Sequence, residues 1–220
     1  MNQYGSWIPD DNGAMASERR AAAAYDIVAA DYDERFCHEL EGKVRDRELL
    51  DGVAARGSGV VLDIGSGPGH IGAHIRARDR PVIAVDVSYA MADAAARRLD
   101  AAVVADMIHL PLGPATISDI IAFYSIVHLP RLRIRDALRE FARVLAPGGH
   151  ALLSAHEGTE DVAVTEFLGH EVDLSATFFT LDELVAAAVD AGLRVVLAER
   201  RAPYANEGST SRLYVELERQ

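Results

Sequence analysis

One cysteine, Cys37, stands in 220 residues. An intramolecular disulfide and a cysteine-cluster metal site are thereby excluded; no metal is expected, and the expected state of Cys37 is a reduced thiol in a helix. Basic residues are also scarce. Only 22 Lys and Arg face 34 Asp and Glu, giving a net charge of −12, and the arginines are scattered rather than gathered into a stripe. Phosphate-backbone binding depends on a positive surface, so nucleic acid is disfavoured as a partner and an uncharged, basic or hydrophobic small molecule is favoured. No stretch approaches the length of a membrane-spanning helix, and the N-terminus, with Trp7, Pro9, Asp10 and Asp11, lacks a basic region followed by an apolar core. The expectation is a cytoplasmic protein with no membrane partner. No Pro- or Ser-rich linker, repeat or low-complexity tract divides the chain, so one domain is expected, as monomer or homodimer.

What the chain does have is a glycine loop after an acid. In Val60-Val61-Leu62-Asp63-Ile64-Gly65-Ser66-Gly67-Pro68-Gly69-His70 an apolar run ends in Asp63, and glycine then occupies every second position. Alternate glycines remove the Cβ atoms that would keep a backbone away from a ligand, and they permit positive φ. A turn without a ligand needs one glycine rather than three in register. A dinucleotide fingerprint would place its third glycine at position 70, where His70 stands, so NAD is disfavoured. Two further apolar runs end in acids, Pro81 to Asp86 and Ala101 to Asp106. Asp86 follows Asp63 by 23 residues, close to the spacing at which α/β nucleotide folds place a carboxylate on ribose hydroxyls. Three strand-terminal acids would share one edge of one sheet.

These motifs, followed by Phe123-Tyr124-Ser125 with His128 and by Pro147-Gly148-Gly149, resemble in order the stations of the class I S-adenosylmethionine-dependent methyltransferases. The resemblance spans about 60–155 by motif. It implies S-adenosylmethionine as cofactor and S-adenosylhomocysteine as product. It further implies Asp63 and the loop of Gly65, Ser66, Gly67 and Gly69 at the methionine part, Asp86 at the ribose, Asp106 with Met107 at the adenine, and Val87, Ser88 and Met91 as further cofactor contacts. Tyr124 and Ser125 would lie beside the transferred methyl group.

The coarse pattern predicts a flexible tail over 1–16 and a methyltransferase domain over 17–220. Its cofactor core spans about 56–155, and a substrate cover is drawn from 17–55 and 156–180. Helices are expected over 17–36, 40–55, 70–79, 89–99, 131–145 and 181–191, with strands near 60, 82, 102, 119, 149, 193 and 212. That alternation predicts an α/β fold with a doubly wound, mainly parallel seven-stranded sheet and helices on both faces, Rossmann-like in the manner of the family, whose last strand enters antiparallel. Thr180 and Glu183 form a capping-box signal, and Ala191-Gly192 a stop.

Two regions fall outside the cofactor core. Tyr25 to Asp33 looks like the YDxxAxxYD opening of small-molecule methyltransferases, with Tyr25 and Tyr32 seven residues apart on one helical face, over the cofactor. The stretch from His156 to Phe179 is too long for a simple connection and reads as an insert over the pocket, with His156, Glu157 and, from a later loop, Tyr204 or Glu207 as candidate substrate contacts. For an oxygen or nitrogen nucleophile the first candidate base is His128 and the second His156, since histidine titrates near neutrality. Transfer of the methyl group to a small-molecule acceptor, a secondary metabolite, is the expected reaction. A cyclase-like natural-product enzyme using the same cofactor, or a non-catalytic cofactor-binding protein, would carry the same motifs.

Overall fold

The computed structural model describes residues 11–220. Seven strands form one sheet in the order β3-β2-β1-β4-β5-β9-β8. β1 (Val61–Ile64), β2 (Val82–Asp86), β3 (Ala101–Val104), β4 (Ile117–Phe123) and β5 (Leu145–His156) pair in parallel, and β9 (Arg212–Arg219) runs antiparallel between β5 and β8 (Leu193–Arg201). The chain steps outward from β1 to β3 and then returns to β4 on the other side of β1. This reversal opens a crevice at the carboxyl ends of β1 and β4, the place where open α/β sheets bind ligands.

Every residue of β1 is buried, as a strand covered on both faces requires. Leu62 and Ile64 pack into one cluster with α5 (Ile134–Val144) and α6 (Leu181–Asp190); Val61 packs into the other with α2 (Val44–Ala55), α3 (His70–Arg76) and the end of α4 (Tyr89–Ala95). The capping box forms: Glu183 donates its amide to Thr180 Oγ1 at 3.3 Å, and Thr180 donates its own to Glu183 Oε2 at 2.8 Å.

Several boundaries differ from expectation. The first helix, α1, spans Asp11–Phe36 and so begins six residues before the expected start at Ser17; Ala14, Met15 and Ala16 are good helix formers that extend it backward. The remainder of the expected tail, residues 1–10, lies outside the described residues. Cys37 falls just past the end of α1, not within a helix, and is a free thiol. The expected helix over 40–55 is broken at Lys43 (φ −110°, ψ 79°), leaving a 3-10 turn at Glu39–Gly42 ahead of α2. The insert after β5 is a hairpin, β6 (Asp161–Phe167) and β7 (His170–Thr177), turned by Leu168 and Gly169, both at positive φ as a two-residue hairpin loop favours. Leu174 of β7 packs with Ala21 and Ala24 of α1, with Tyr25 and Phe167 at the margin of that cluster. Among the described residues, no helix is long and apolar enough to cross a membrane.

Beneath the site a buried ion pair joins distant segments. Arg80 and Asp119 are 2% and 4% exposed, and Arg80 donates to Asp119 Oδ2 at 2.8 Å and to the carbonyls of Val53 and Gly59 at 2.8 and 2.9 Å. Removing one partner strands the other charge in the interior. Asp119→Ala is expected to lower the unfolding free energy by about 3 to 5 kcal/mol in urea titration, and a loss below about 1 kcal/mol would contradict this account.

Candidate functional site

The acids that end β1 and β2 and follow β3 converge on the crevice. Gly65 and Gly67 turn the loop after β1 at φ +63° and +53°. A Cβ on Gly65 would stand 2.2 Å from that of Ser125, so only glycine lets this loop meet the one after β4. Asp86 holds the loop in place, its Oδ2 accepting from the Gly67 amide at 2.8 Å and its Oδ1 from the Ser88 amide at 2.9 Å.

Two adjoining cavities open here, sharing Tyr25, Tyr32, Gly65, Gly67, Phe123, Tyr124 and His128 as walls. The inner lobe, about 90 Å³, adds Glu18, Asp86, Val87, Asp106, Met107 and Ser125. The outer chamber, about 640 Å³, adds Asp63, Ser66, His70, His156 and, from more distant segments, Glu39, Lys43, Phe167, Phe178, Glu207 and Arg212.

Electrostatically, the inner lobe is acidic. Burial pushes the Asp86 carboxyl up to about 6 against the hydrogen bonds from Ser88 and Gly67, and Asp63, on the outer chamber's side of the glycine loop, up to about 7 against that from the Gly72 amide. Glu18 is pushed to about 7 by burial and by the neighbouring Asp106. His128 donates Nδ1–H to the Ser175 carbonyl at 3.0 Å, since a carbonyl can only accept, and its Nε2 therefore accepts from the Tyr25 hydroxyl at 2.6 Å. Burial holds this ring below the ordinary histidine range. His156, pushed to about 4 by burial and by Arg212 and Lys43, lies 2.9 Å from Thr210 through Nδ1.

Five expected contacts lie off the cavity walls. Gly69 faces α4 instead: its Cβ would come within 3.1 Å of Ala95, so this glycine serves helix packing. Ser88 caps α4 and Met91 is buried behind it. Glu157 points to Arg200 in an ion pair at 2.5 Å. Tyr204 accepts from the Arg45 amide at 3.0 Å and lies under the Arg201 guanidinium. From the same loop, Glu207 does reach the chamber. Sequence reading also passed over Glu18, although it precedes Tyr25 by the same seven residues that separate Tyr25 from Tyr32. All three line the inner lobe.

A family model of a methyltransferase domain matches residues 61–149, the span from β1 into β5. An uncharacterized methyltransferase of Geobacillus kaustophilus is 26% identical over 194 residues, covering 82% of this chain and 89% of that protein. The malonyl-[acyl-carrier protein] O-methyltransferase of Yersinia pestis is 34% identical over 155 residues, 69% of this chain and about half, 54%, of that enzyme. Together these matches support a class I S-adenosylmethionine-dependent methyltransferase. In fold, this methyltransferase superposes with a TM-score of 0.69 on the 1,6-didemethyltoxoflavin-N1-methyltransferase of Burkholderia thailandensis, solved with 1,6-didemethyltoxoflavin and S-adenosylhomocysteine, at 19% identity and covering 100% of this chain and 93% of that one.

S-adenosylmethionine is the cofactor, and the residues present fit it. Gly67 presents a bare Cα to the cavity, with Tyr32 3.7 Å beyond where a Cβ would stand. Ser125 Oγ is buried in the inner lobe without a hydrogen-bond partner, a group a ligand can satisfy. Asp86 keeps lone pairs for a vicinal diol beyond the two amides it already accepts.

Two outcomes are expected from these acids. Asp86→Ala is expected to weaken S-adenosylhomocysteine binding by about 1 to 3 kcal/mol in calorimetry, and unchanged affinity in the folded variant would remove Asp86 from the cofactor site. The folded value of Asp63, near 7, lies above its unfolded value. The folded state thus binds more protons, and this carboxyl's contribution to stability is present below about pH 4 and lost as pH rises towards about 7. Denaturant unfolding of the free protein across that window should show a shallower fall for Asp63→Asn than for wild type; equal slopes would refute the assignment.

Proposed function

We propose that this methyltransferase acts on a small-molecule acceptor held in the outer chamber, and that His128 receives the acceptor's proton through the Tyr25 hydroxyl. The carrying observation is the pair of bonds at His128. Nδ1 is committed to the Ser175 carbonyl, so Nε2 is the basic nitrogen, and burial keeps the ring neutral at physiological pH. Bound S-adenosylmethionine would supply an electrophilic sulfonium methyl group for in-line displacement. Asp63, Asp86 and Asp106 would fix its ends. Tyr25 and Tyr32 on α1, together with the hairpin of β6 and β7, would cover the site and exclude water.

Other findings support a small acceptor. The net charge of −12 argues against a nucleic-acid substrate. The Burkholderia enzyme, similar in fold, is solved with the small molecule 1,6-didemethyltoxoflavin bound.

The test is a screen of small-molecule acceptors, read as a product heavier by one methyl group with S-adenosylhomocysteine formed in parallel. With a hydroxyl or protonated-amine acceptor, His128→Ala is expected to lower kcat about a hundredfold while leaving cofactor affinity nearly intact. The wild-type rate should fall as pH drops through the His128 value, below the ordinary histidine range, and this limb should vanish in the variant. Identical profiles with retained activity would exclude His128 as the base.

A further inference from the structure

One wall of the outer chamber carries cations that its acids leave incompletely paired. Lys43 Nζ lies 4.6 Å, and the Arg212 guanidinium carbon 5.9 Å, from the centroid of the Tyr124 ring. His156 packs on that same ring at 5.3 Å. Arg212 is 4% exposed, and its Nη1 is spent on the carbonyl and hydroxyl of Thr210. Its Nε is buried without a hydrogen bond. The nearest acid, Glu207, stands 3.7 Å from that Nε and already accepts from Arg201 through both oxygens, at 2.9 and 3.0 Å. Lys43 shares Glu39 with His70.

The sign of the local field is visible at His156. The positive charges of Arg212 and Lys43 act on its imidazole more strongly than the negative charges of Glu207 and Glu39. A buried guanidinium with an unmet donor is costly, and its planar fork matches a carboxylate. Phe167 and Phe178 line the same chamber and offer apolar surface beside this charge.

We propose that Arg212 and Lys43 form an anion subsite that holds a carboxylate of the methyl acceptor, with Phe167 and Phe178 against its hydrocarbon body. The acceptor class is therefore an apolar carboxylic acid, whereas the acidic net charge by itself favours an uncharged or basic molecule. This inference rests on the methyltransferase reading, because it places the acceptor in that enzyme's chamber.

Calorimetric titration of the full chain saturated with S-adenosylhomocysteine, using benzoate and its neutral counterpart benzamide near neutral pH, tests it. Benzoate is expected to bind at least about tenfold more tightly than benzamide, and Arg212→Gln and Lys43→Gln are each expected to weaken benzoate about tenfold or more while leaving benzamide unchanged. S-adenosylhomocysteine binding, measured first in each variant, reports that it is folded, and the comparison of the two probes on wild type stands without any variant. No benzoate binding to the loaded wild type, equal affinity for the two probes, or benzoate affinity unaffected in both folded variants would overturn the subsite and leave the methyltransferase reading in place. Failure of S-adenosylhomocysteine to bind wild type would overturn both.

Discussion

The Asp86 carboxylate ties together the strand that carries it, the glycine loop and the helix above them. One oxygen accepts from Gly67 and fixes the loop, and the other accepts from Ser88, the cap of α4. Ser88 in turn donates to Asp26 of α1 at 2.6 Å, and the same Asp26 oxygen accepts from the Ala90 amide at 3.0 Å. Seven residues on, Asp33 accepts from Arg98 at 2.8 Å. The repeated Tyr-Asp pairs of α1 thus divide their labour. Asp26 and Asp33 pin the helix to α4 and the segment that follows it, while Tyr25 and Tyr32 reach into the cavity. The strand-terminal acid and the helix that packs over the cavity thus belong to one hydrogen-bonded chain.

This arrangement explains which parts of the site were legible in sequence. Asp63, Asp86 and Asp106 each close a short apolar run, and a parallel sheet brings the ends of such runs to one edge. The capping box at Thr180 was readable because all its partners lie within four residues. Gly69, Ser88 and Met91 sit beside the motif residues yet turn into helix packing, since a turn's spacing does not say which flank meets a neighbouring helix. Glu157 and Tyr204 were misread for another reason. Their partners, Arg200 and Arg45, are 43 and 159 residues away, and no local pattern announces such pairs. Lys43 and Arg212 were invisible as a wall for the same reason, being joined only when β9 inserts beside β5. Glu18 alone carried an unused local signal, its heptad spacing to Tyr25.

Charge is sorted across the Tyr124 ring. Acids line the inner lobe, where Glu18 and Asp86 are held above their ordinary values, and Lys43 and Arg212 stand in the outer chamber, where His156 is held below its own. Both departures arise because burial disfavours charge that lacks a partner. A cationic ligand in the inner lobe would relieve the carboxyls, and an anionic one in the chamber would relieve Arg212. The free protein is therefore electrostatically unsatisfied on both sides of the cavity, in the sense that favours two ligands of opposite charge.

Such sorting suits the chemistry of the family. Transfer of a methyl group from a sulfonium to an electron-rich atom disperses charge as the reaction proceeds, and a site closed to water disfavours the separated charges more than the dispersed ones. Exclusion of water leaves the acceptor's orientation to a few directed contacts. In this chain Tyr124 and His128, which line the cavity, are anchored by different elements. Tyr124, at a strained φ of +53°, is held by its hydroxyl bond to the fully buried Asp46 at 3.1 Å. His128 instead depends through Ser175 on the hairpin and through Tyr25 on α1. The orientation of Nε2 on the proposed base is thus set by the hairpin and α1 together.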